Sequence, residues 1–333
     1  STASRCHIPF RRAMTPPTPR DSLPVEVMNV AVVDIGSNST RLLIAELDGH
    51  RVTRELVRHS EVTRLGAGVD ADGRLREDAM QRVFSTLEGY KSEIEAHDCQ
   101  TAVAVLTSAV RDSANGEVFA EAVRRRYGLE PHVLAGAQEA QLTFLGATSE
   151  RDSADRTPTL VLDIGGGSTE MIVGSGSEVG FHVSTQAGVV RQTERHLRAD
   201  PPDPAEMDEL VADVHQILQD NVPAGRRGEV GHGIAVAGTA TSLAAIAQHL
   251  DPYDPERVHG YLLSAGECES ILDELAAMTL EQRRHVAGLH PDRAPTIVAG
   301  VIIFREVLRL FGLDQIEISE HDILRGAALG LGA

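Results

Sequence analysis

One sequence pattern occurs twice in this chain, as VVDIGSNSTRLLI at Val32–Ile44 and as VLDIGGGSTEMIV at Val161–Val173. Each copy is an apolar run, an Asp, a Gly-bearing turn and a second apolar run. Short apolar runs bounded by turn residues predict buried strands, so each copy predicts two strands joined by a tight turn. The copies start 129 positions apart (161 minus 32), which indicates that one structural unit has been duplicated.

The segments after the two copies follow the same order of elements. A third strand is predicted in each half, over residues 51–65 and 180–188. Apolar residues spaced near 3.6 then predict amphipathic helices over 76–97 and 203–222, and Asp203 is suited to cap the second helix. The sequence therefore predicts a duplicated βββαβα unit of the α/β class, with helices on both faces of each sheet.

The later part of each half is less regular. In the first half, the apolar run before Arg111 predicts a strand that ends in a loop there, and a helix is predicted to open at Gly136. In the second half, residues 233–250 predict a strand, a turn at Gly238-Thr239 and a helix. The remainder is predicted helical, with one short strand in its IEIS segment.

The expected organisation is two domains around a central cleft, with the two Asp-bearing turns on opposite walls. The chain has 333 residues, 42% of them hydrophobic, which is enough for two cores. Residues 1–27 are rich in proline and lack periodicity, which predicts a disordered leader or residues foreign to the natural chain. The first domain is predicted over 28–142 and the second over 143–333, with the C-terminal helix packing back on the first domain.

Composition excludes several classes of protein. A net charge of −18 argues against a broad basic surface for nucleic acid, so an anionic substrate must meet local arginines or bound cations. Lys91 is the only lysine, which excludes a P-loop. Three distant cysteines form neither a disulfide framework nor a CxxC site, and no run of 18 apolar residues occurs. We expect a cytoplasmic protein with no nucleic-acid or membrane partner.

The two repeated turns have the chemistry of a phosphate site. Asp34 and Asp163 emerge at strand ends, glycines let backbone N–H groups approach an anion, and Ser and Thr hydroxyls add donors. A carboxylate beside such a turn indicates a divalent cation, because two bare anions repel. A single turn of this kind is ordinary in a hairpin, but two matched copies favour phosphate. The residues predicted to bind phosphate are Gly36, Ser37, Asn38, Ser39, Gly165, Gly166, Gly167, Ser168, Gly238 and Thr239.

Four motifs in a fixed order carry a resemblance to a known family. They are VDIGSNSTRLLI, GAQEAQLTFLGA, VLDIGGGSTEMIV and VAGTATSLAAI. Together they resemble the Ppx/GppA family of exopolyphosphatases and guanosine pentaphosphate phosphohydrolases, from Asn29 to the C-terminus. The resemblance implies a two-domain actin-like (ribonuclease-H-like) fold, in the short form without the C-terminal helical domain of long members.

The resemblance also implies roles for single residues. Glu139 matches the family's catalytic glutamate, which would orient and deprotonate water, and Arg111 its phosphate-binding arginine. Asp163, Glu170 and Asp34 are implied as ligands for Mg²⁺ or Mn²⁺. The histidines show no metal-binding spacing and are interpreted as structural or solvated. The arginines that would line a polyphosphate path, each equally suited to surface charge, are Arg41, Arg64 and Arg191.

The resulting interpretation is an exopolyphosphatase that releases terminal orthophosphate from inorganic polyphosphate by metal-assisted attack of water. Hydrolysis of guanosine pentaphosphate, with a place in the stringent response, stays open. A small-molecule kinase of the same superfold and a weakly active protein that binds polyphosphate or guanosine tetraphosphate stay open too. Members of the family are commonly dimers, which implies a homodimer.

Overall fold

The structure, a computed structural model, describes residues 27–49, 51–152 and 154–332. The leader predicted over 1–27 lies outside these residues except for Val27, at which the first strand begins. No helix within the described residues combines the length and the apolar character that crossing a membrane requires.

The first half of the described chain forms one mixed sheet flanked by helices. Its strands are β1 (Val27–Ile35), β2 (Ser39–Asp48), β3 (Arg51–Val62), β4 (Thr101–Leu106) and β5 (Glu130–Val133). They lie in the order β3-β2-β1-β4-β5. Its helices are α1 (Val69–Asp72), α2 (Glu77–Ala96), α3 (Ser108–Arg111), α4 (Gly116–Tyr127) and α5 (Gly136–Ala147).

The second half forms a second mixed sheet. Its strands are β6 (Thr159–Ile164), β7 (Thr169–Ser175), β8 (Glu178–Thr185), β9 (His232–Val236), β10 (Leu262–Ser264) and β11 (Gln315–Ile318), in the order β8-β7-β6-β9-β11-β10. Its first helices are α6 (Val189–His196), α7 (Pro204–Asn221), α8 (Ala224–Arg227), α9 (Ala237–Ala247) and α10 (Pro255–Val258). The later ones are α11 (Ala265–Ala276), α12 (Leu280–Arg283), a 3₁₀ turn (Pro291–Arg293), α13 (Ile297–Phe311) and α14 (Ile323–Leu331).

The two sheets share one topology over five strands, and the second sheet has β10 as an additional edge strand. In each, the first two strands form an antiparallel hairpin, and the first strand also pairs in parallel with the strand on its other side. Asp34 pairs with Arg41 across the first hairpin, and Asp163 pairs with Glu170 at the equivalent place in the second. The predicted duplication is therefore confirmed, and the fold is a duplicated actin-like α/β fold.

Helices α5 and α14 pack between the two sheets. On α5, Leu142 joins the core of the first sheet and Phe144 joins residues of the second. On α14, Ile323 and Leu324 are buried in the core of the first sheet, although they come from the end of the chain. The predicted domain boundary, between residues 142 and 143, falls inside the continuous helix α5. We propose that α5 and α14 together connect the two domains.

Three local predictions can be compared with the structure. Asp203 caps α7 as predicted, because its side chain accepts the Ala205 N–H at 2.8 Å. The predicted loop at Arg111 is wrong, since Arg111 is the last residue of the short helix α3. The predicted turn at Gly238-Thr239 is also wrong, because helix α9 begins at Ala237, directly after β9. Ala237 absorbs the change of direction with a left-handed φ of 63°.

Candidate active site

A cleft of about 340 Å³ lies where the two repeated turns meet. Both turns have the same internal hydrogen bond, from the N–H of Gly36 to Ser39 O at 3.0 Å and from the N–H of Gly165 to Ser168 O at 2.9 Å. The predicted residues that line the cleft are Asp34, Gly36, Ser37, Asn38, Ser39, Arg41, Arg111, Glu139, Asp163, Gly165, Gly166, Gly167, Ser168, Glu170, Gly238 and Thr239.

The tips of the two turns offer backbone donors to the cleft. Within the part of the chain that the structure describes, no acceptor takes the N–H groups of Ser37, Asn38, Gly166 or Gly167. The tips are also close to each other, since a Cβ built on Gly166 would lie 3.1 Å from Asn38 Cβ. Successive N–H groups in a turn form a concave anion site. The arrangement therefore supports the predicted binding of phosphate.

Glu139 faces this cleft from the first turn of α5. Arg111 Nη1 donates to Glu139 Oε2 at 3.2 Å and to the carbonyl of Leu134 at 3.1 Å, so the backbone helps to hold the guanidinium. Burial, with the nearby charges of Glu170 and Asp34, raises the pKa of Glu139 to about 7 against the opposing effect of Arg111. A carboxyl group with such a pKa can take a proton at neutral pH.

Asp163 and Glu170 form a pair of acidic residues that lie opposite each other across the β6-β7 hairpin. Glu170 Oε1 accepts from Ser168 Oγ at 2.6 Å and from Ser184 Oγ at 2.8 Å. Burial raises the pKa of Glu170, and burial with the charge of Glu170 raises the pKa of Asp163 well above its ordinary range. No donor among the described residues reaches the Asp163 carboxylate, so this group lacks the compensation that Ser168 and Ser184 give to Glu170.

Asp34 and Arg41 form an ion pair at the same edge of the first sheet. Asp34 Oδ2 accepts from Arg41 Nε at 2.9 Å and from Nη2 at 2.5 Å. Arg41 Nη1 donates to Asp322, at the start of α14. Asp34 Oδ1 is buried and has no hydrogen-bond partner among the described residues. Arg41 therefore lines the cleft as predicted, but two carboxylates already hold its guanidinium.

The residues of the acidic site fit a divalent cation. Asp34 Oδ1 is a buried oxygen without a partner, and the carboxyls of Asp163 and Glu170 repel each other. Hard cations such as Mg²⁺ take oxygen ligands of this kind, and they keep several waters when few carboxylates reach them. No three of the described acidic groups at the cleft bring ligand atoms within 4.8 Å of one another. Water and phosphate oxygens would therefore complete the coordination.

One group of possible metal ligands lies outside the cleft. Ligand atoms of Glu150, His259 and His321 lie within 4.8 Å of one another. Glu320 N–H donates to His259 Nδ1, and Arg325 Nη1 lies 3.1 Å from His321 Nε2, so each ring carries its proton on the nitrogen nearer Glu150. A metal would have to displace both protons. Sequence spacing missed this group because its members are far apart in the chain.

Two of the predicted arginines do not line the cleft. Arg64 is exposed beside the first turn, where its N–H donates to the carbonyl of Asn38 at 2.8 Å. Arg191 Nε donates to the carbonyl of Gly167, in the second turn, at 3.1 Å. Their place on a polyphosphate path stays a prediction, and such a path would have to extend beyond the cleft.

The sequence did not point to Arg293, which lines the cleft from the second half of the chain. A Cβ built on Gly238 would lie 1.9 Å from Arg293 Nη1, so the glycine makes room for this guanidinium. Among the described residues nothing accepts a hydrogen bond from it, and burial together with Arg41 lowers the pKa of Arg293. His182 and Ser184 of β8 line the cleft as well. No sequence motif marks these three residues.

Together these features define a class of protein. Because a carboxyl that can take a proton at neutral pH faces backbone donors from both copies of the α/β unit, the cleft suits hydrolysis of a phosphoric anhydride. The class is therefore a phosphohydrolase of the actin-like fold. The chain belongs to the Ppx/GppA phosphatase family, whose model matches residues 43–329.

Relatives and solved structures agree with this family. The chain is 37% identical over 314 residues to exopolyphosphatase 2 of Mycobacterium tuberculosis, covering 91% of this chain and 98% of that protein. The crystal structure of the Aquifex aeolicus Ppx/GppA family member is 31% identical, with a TM-score of 0.79 over 92% of this chain and 98% of that one. An exopolyphosphatase from Cytophaga hutchinsonii is 27% identical, with a TM-score of 0.81 over 91% and 97%.

Proposed function

We propose that this chain releases orthophosphate from the end of inorganic polyphosphate by attack of water on the terminal phosphoryl group. The names of its relatives support polyphosphate as the substrate. The observation that carries the proposal is the position of Glu139. Its carboxyl has a pKa of about 7 and faces the same cleft as the two turns. A base works best when its pKa is near the working pH.

The residues of the cleft divide the chemistry between them. Glu139 accepts the proton of the attacking water, and Arg111 binds a non-bridging phosphoryl oxygen while it orients Glu139. The N–H groups of both turns bind the phosphates on either side of the bond that breaks. A divalent cation, Mg²⁺ or Mn²⁺, held by Asp163 and Glu170 with Asp34, would neutralise charge on the phosphoryl oxygens.

Polyphosphate suits this cleft better than a nucleotide does. Three arginines line the cleft in a protein of net charge −18, and Arg293 has no acidic hydrogen-bond partner among the described residues. A chain of phosphates can meet several of these charges at once, whereas aromatic residues for stacking a base are only 3% of the protein. Because the contacts are charge-assisted and partly exposed, salt should weaken them.

The first test replaces the base. Glu139→Gln keeps the shape of the side chain but cannot take the proton, so we expect phosphate release from polyphosphate to fall by about 10²–10⁴-fold. Phosphate release with Mg²⁺ present is the measurement. Glu209→Gln makes the same change on the exposed face of α7 and serves as the matched control. A Glu139→Gln enzyme with normal turnover would falsify the assignment.

The second part of the test compares substrates with the wild-type enzyme. Values of kcat/KM are measured for polyphosphates of graded length, guanosine pentaphosphate and ATP, at low and high salt. We expect release of single phosphates, with polyphosphate preferred and its advantage smaller at high salt. Preference for guanosine pentaphosphate at both salt concentrations would replace polyphosphate as the substrate. Tight binding of polyphosphate without turnover would indicate a sensor.

A further inference from the structure

Asp322 is a buried carboxylate that neither the sequence patterns nor the proposed chemistry accounts for. It is the residue before α14, and only 3% of its surface is exposed. One of its oxygens, Oδ1, accepts the Leu324 N–H at 3.0 Å and so caps the helix. The other, Oδ2, accepts from Arg41 Nη1. Asp322 therefore joins the start of α14 to a guanidinium that lines the cleft.

The hydrogen bonds fix how Arg41 can act. A guanidinium has five N–H donors in a rigid plane. Asp34 takes two of them and Asp322 takes a third, on a different edge of the plane. Two N–H groups remain for a ligand, and Arg41 lines the cleft. Without Asp322, the Arg41 guanidinium would keep only Asp34 as a partner, and its Nη1 edge would no longer be held in place.

Charged side chains lie around the contact between Asp322 and the Arg41 guanidinium. Arg58 Nη1 lies 3.9 Å from Asp322 Oδ1, and Arg58 is held in turn by Glu55 at 3.0 Å. Burial opposes the charged form of Arg41, but the charges of Asp322, Asp34 and Asp163 outweigh it and raise the pKa of Arg41, which stays protonated. Arg41 is therefore a permanent cation whose direction, and not its charge, depends on Asp322.

We infer that Asp322 is a positioning residue: it holds the Arg41 guanidinium in the orientation that receives a phosphate group of the substrate. This inference rests on the proposed function, since it assigns Arg41 to phosphate of the same substrate. It differs from a purely structural role, because the hydrogen bond to Leu324 N–H already explains why α14 needs a capping residue here. Capping α14 does not require the second hydrogen bond, which Asp322 accepts from Arg41.

The test is Asp322→Asn, which keeps a capping oxygen and removes the charge. We expect kcat on polyphosphate to fall by about tenfold or more, because a misplaced guanidinium no longer meets the transition state. KM should not rise, because Arg41 keeps its charge and loses a competing anion. The matched control is Asp203→Asn, the same change at the cap of α7, away from the cleft. Asp322→Ser, another capping residue, replaces Asp322→Asn if that variant does not fold.

A second variant separates positioning from direct action. Arg41→Lys keeps the charge and loses the planar fork, so adding Asp322→Asn to it should change kcat by less than about twofold. The inference is overturned if Asp322→Asn costs as much in the Arg41→Lys enzyme as in wild type. It is also overturned if Asp322→Asn has wild-type kcat and KM, or changes only the Mg²⁺ concentration needed. Wild-type turnover is measured first, so a protein that does not hydrolyse polyphosphate contradicts the proposed function instead.

Discussion

At the scale of single residues, the site is a set of charges that burial makes costly. Glu139, Asp163 and Glu170 all have a raised pKa, and burial is the largest cause for each. A protein selected only for stability would not place three carboxyls together in one cleft. In the proposed function these carboxyls gain their missing partners from a bound cation and from the phosphate groups of the substrate.

The loss of folding stability caused by burying the ionised Glu139 carboxylate can be measured, because it depends on pH. Its pKa is about 7 in the folded protein and near 4.5 in the unfolded chain. Between these values the folded state binds more protons, so the free energy of unfolding falls as the pH rises. Glu139→Gln avoids that loss, and we expect it to be more stable than wild type by about 1–3 kcal/mol at about pH 8.

The measurement is urea unfolding of both proteins in chelator, at about pH 8 and at about pH 5, where the difference should shrink. Chelator matters because a bound cation would stabilise the ionised carboxyl and hide the effect. A stability difference that is the same at both pH values would contradict this account of Glu139.

At the scale of elements, the crossing of α5 and α14 sets the distance between the two sheets. A Cβ built on Gly146 would lie 1.9 Å from the carbonyl oxygen of Asp322, and one built on Gly326 would lie 1.9 Å from that of Leu142. The two helices therefore touch backbone to backbone, which only glycine allows. Glu139 is on one of these helices and Asp322 at the start of the other, so the crossing also fixes Glu139 relative to Arg41.

Substitution of either glycine should show how tight this crossing is. Gly146→Ala would push a methyl group into a backbone carbonyl, so we expect a loss of about 1–3 kcal/mol or more in unfolding free energy. Gly89→Ala is the matched control, because Gly89 is an exposed glycine of α2 with nothing within 4 Å of a built Cβ. There alanine should stabilise by about 0.5–1 kcal/mol. Equal effects at the two sites, measured by urea unfolding, would show that the helices can move apart.

The sequence could predict the hairpins because their signal is local. Asp34 and Asp163 stand at equivalent places in two copies of one pattern, so the comparison within one chain was enough to find them. Arg293 and Asp322 could not be found in this way. Their importance comes from Gly238 and Arg41, which lie far from them in the chain, and no periodicity encodes such contacts.

At the scale of the whole molecule, the end of the chain completes the core of its beginning. Ile323, Leu324 and Ala328 are almost fully buried among residues of β1, β2 and β4. The proposed division into 28–142 and 143–333 therefore describes the order of the sequence better than the packing of the core. The apolar face of α14 is part of the core of the first sheet.

Removing that helix should be more damaging than its length suggests. A chain that ends at Asp322 loses 11 residues (333 minus 322) but exposes the apolar surface that α14 covers. We expect it to lose cooperative unfolding, and a chain that starts at Met28, which lacks 27 residues, to keep it. The measurement is thermal unfolding monitored by circular dichroism. A truncated chain that melts like the full-length protein would show that α14 is dispensable for the first domain.

The position of α14 also decides when during synthesis the first domain can be finished. Its strands and α5 are synthesised early, but 184 residues after Ala147 (331 minus 147) must be added before α14 is complete at Leu331. At roughly 5–20 residues per second this takes about 9–37 s. Throughout that time the nascent first half lacks α14, as the chain that ends at Asp322 does, and the apolar residues that α14 covers stay uncovered. The sheet that is translated first is therefore the last to have its core completed.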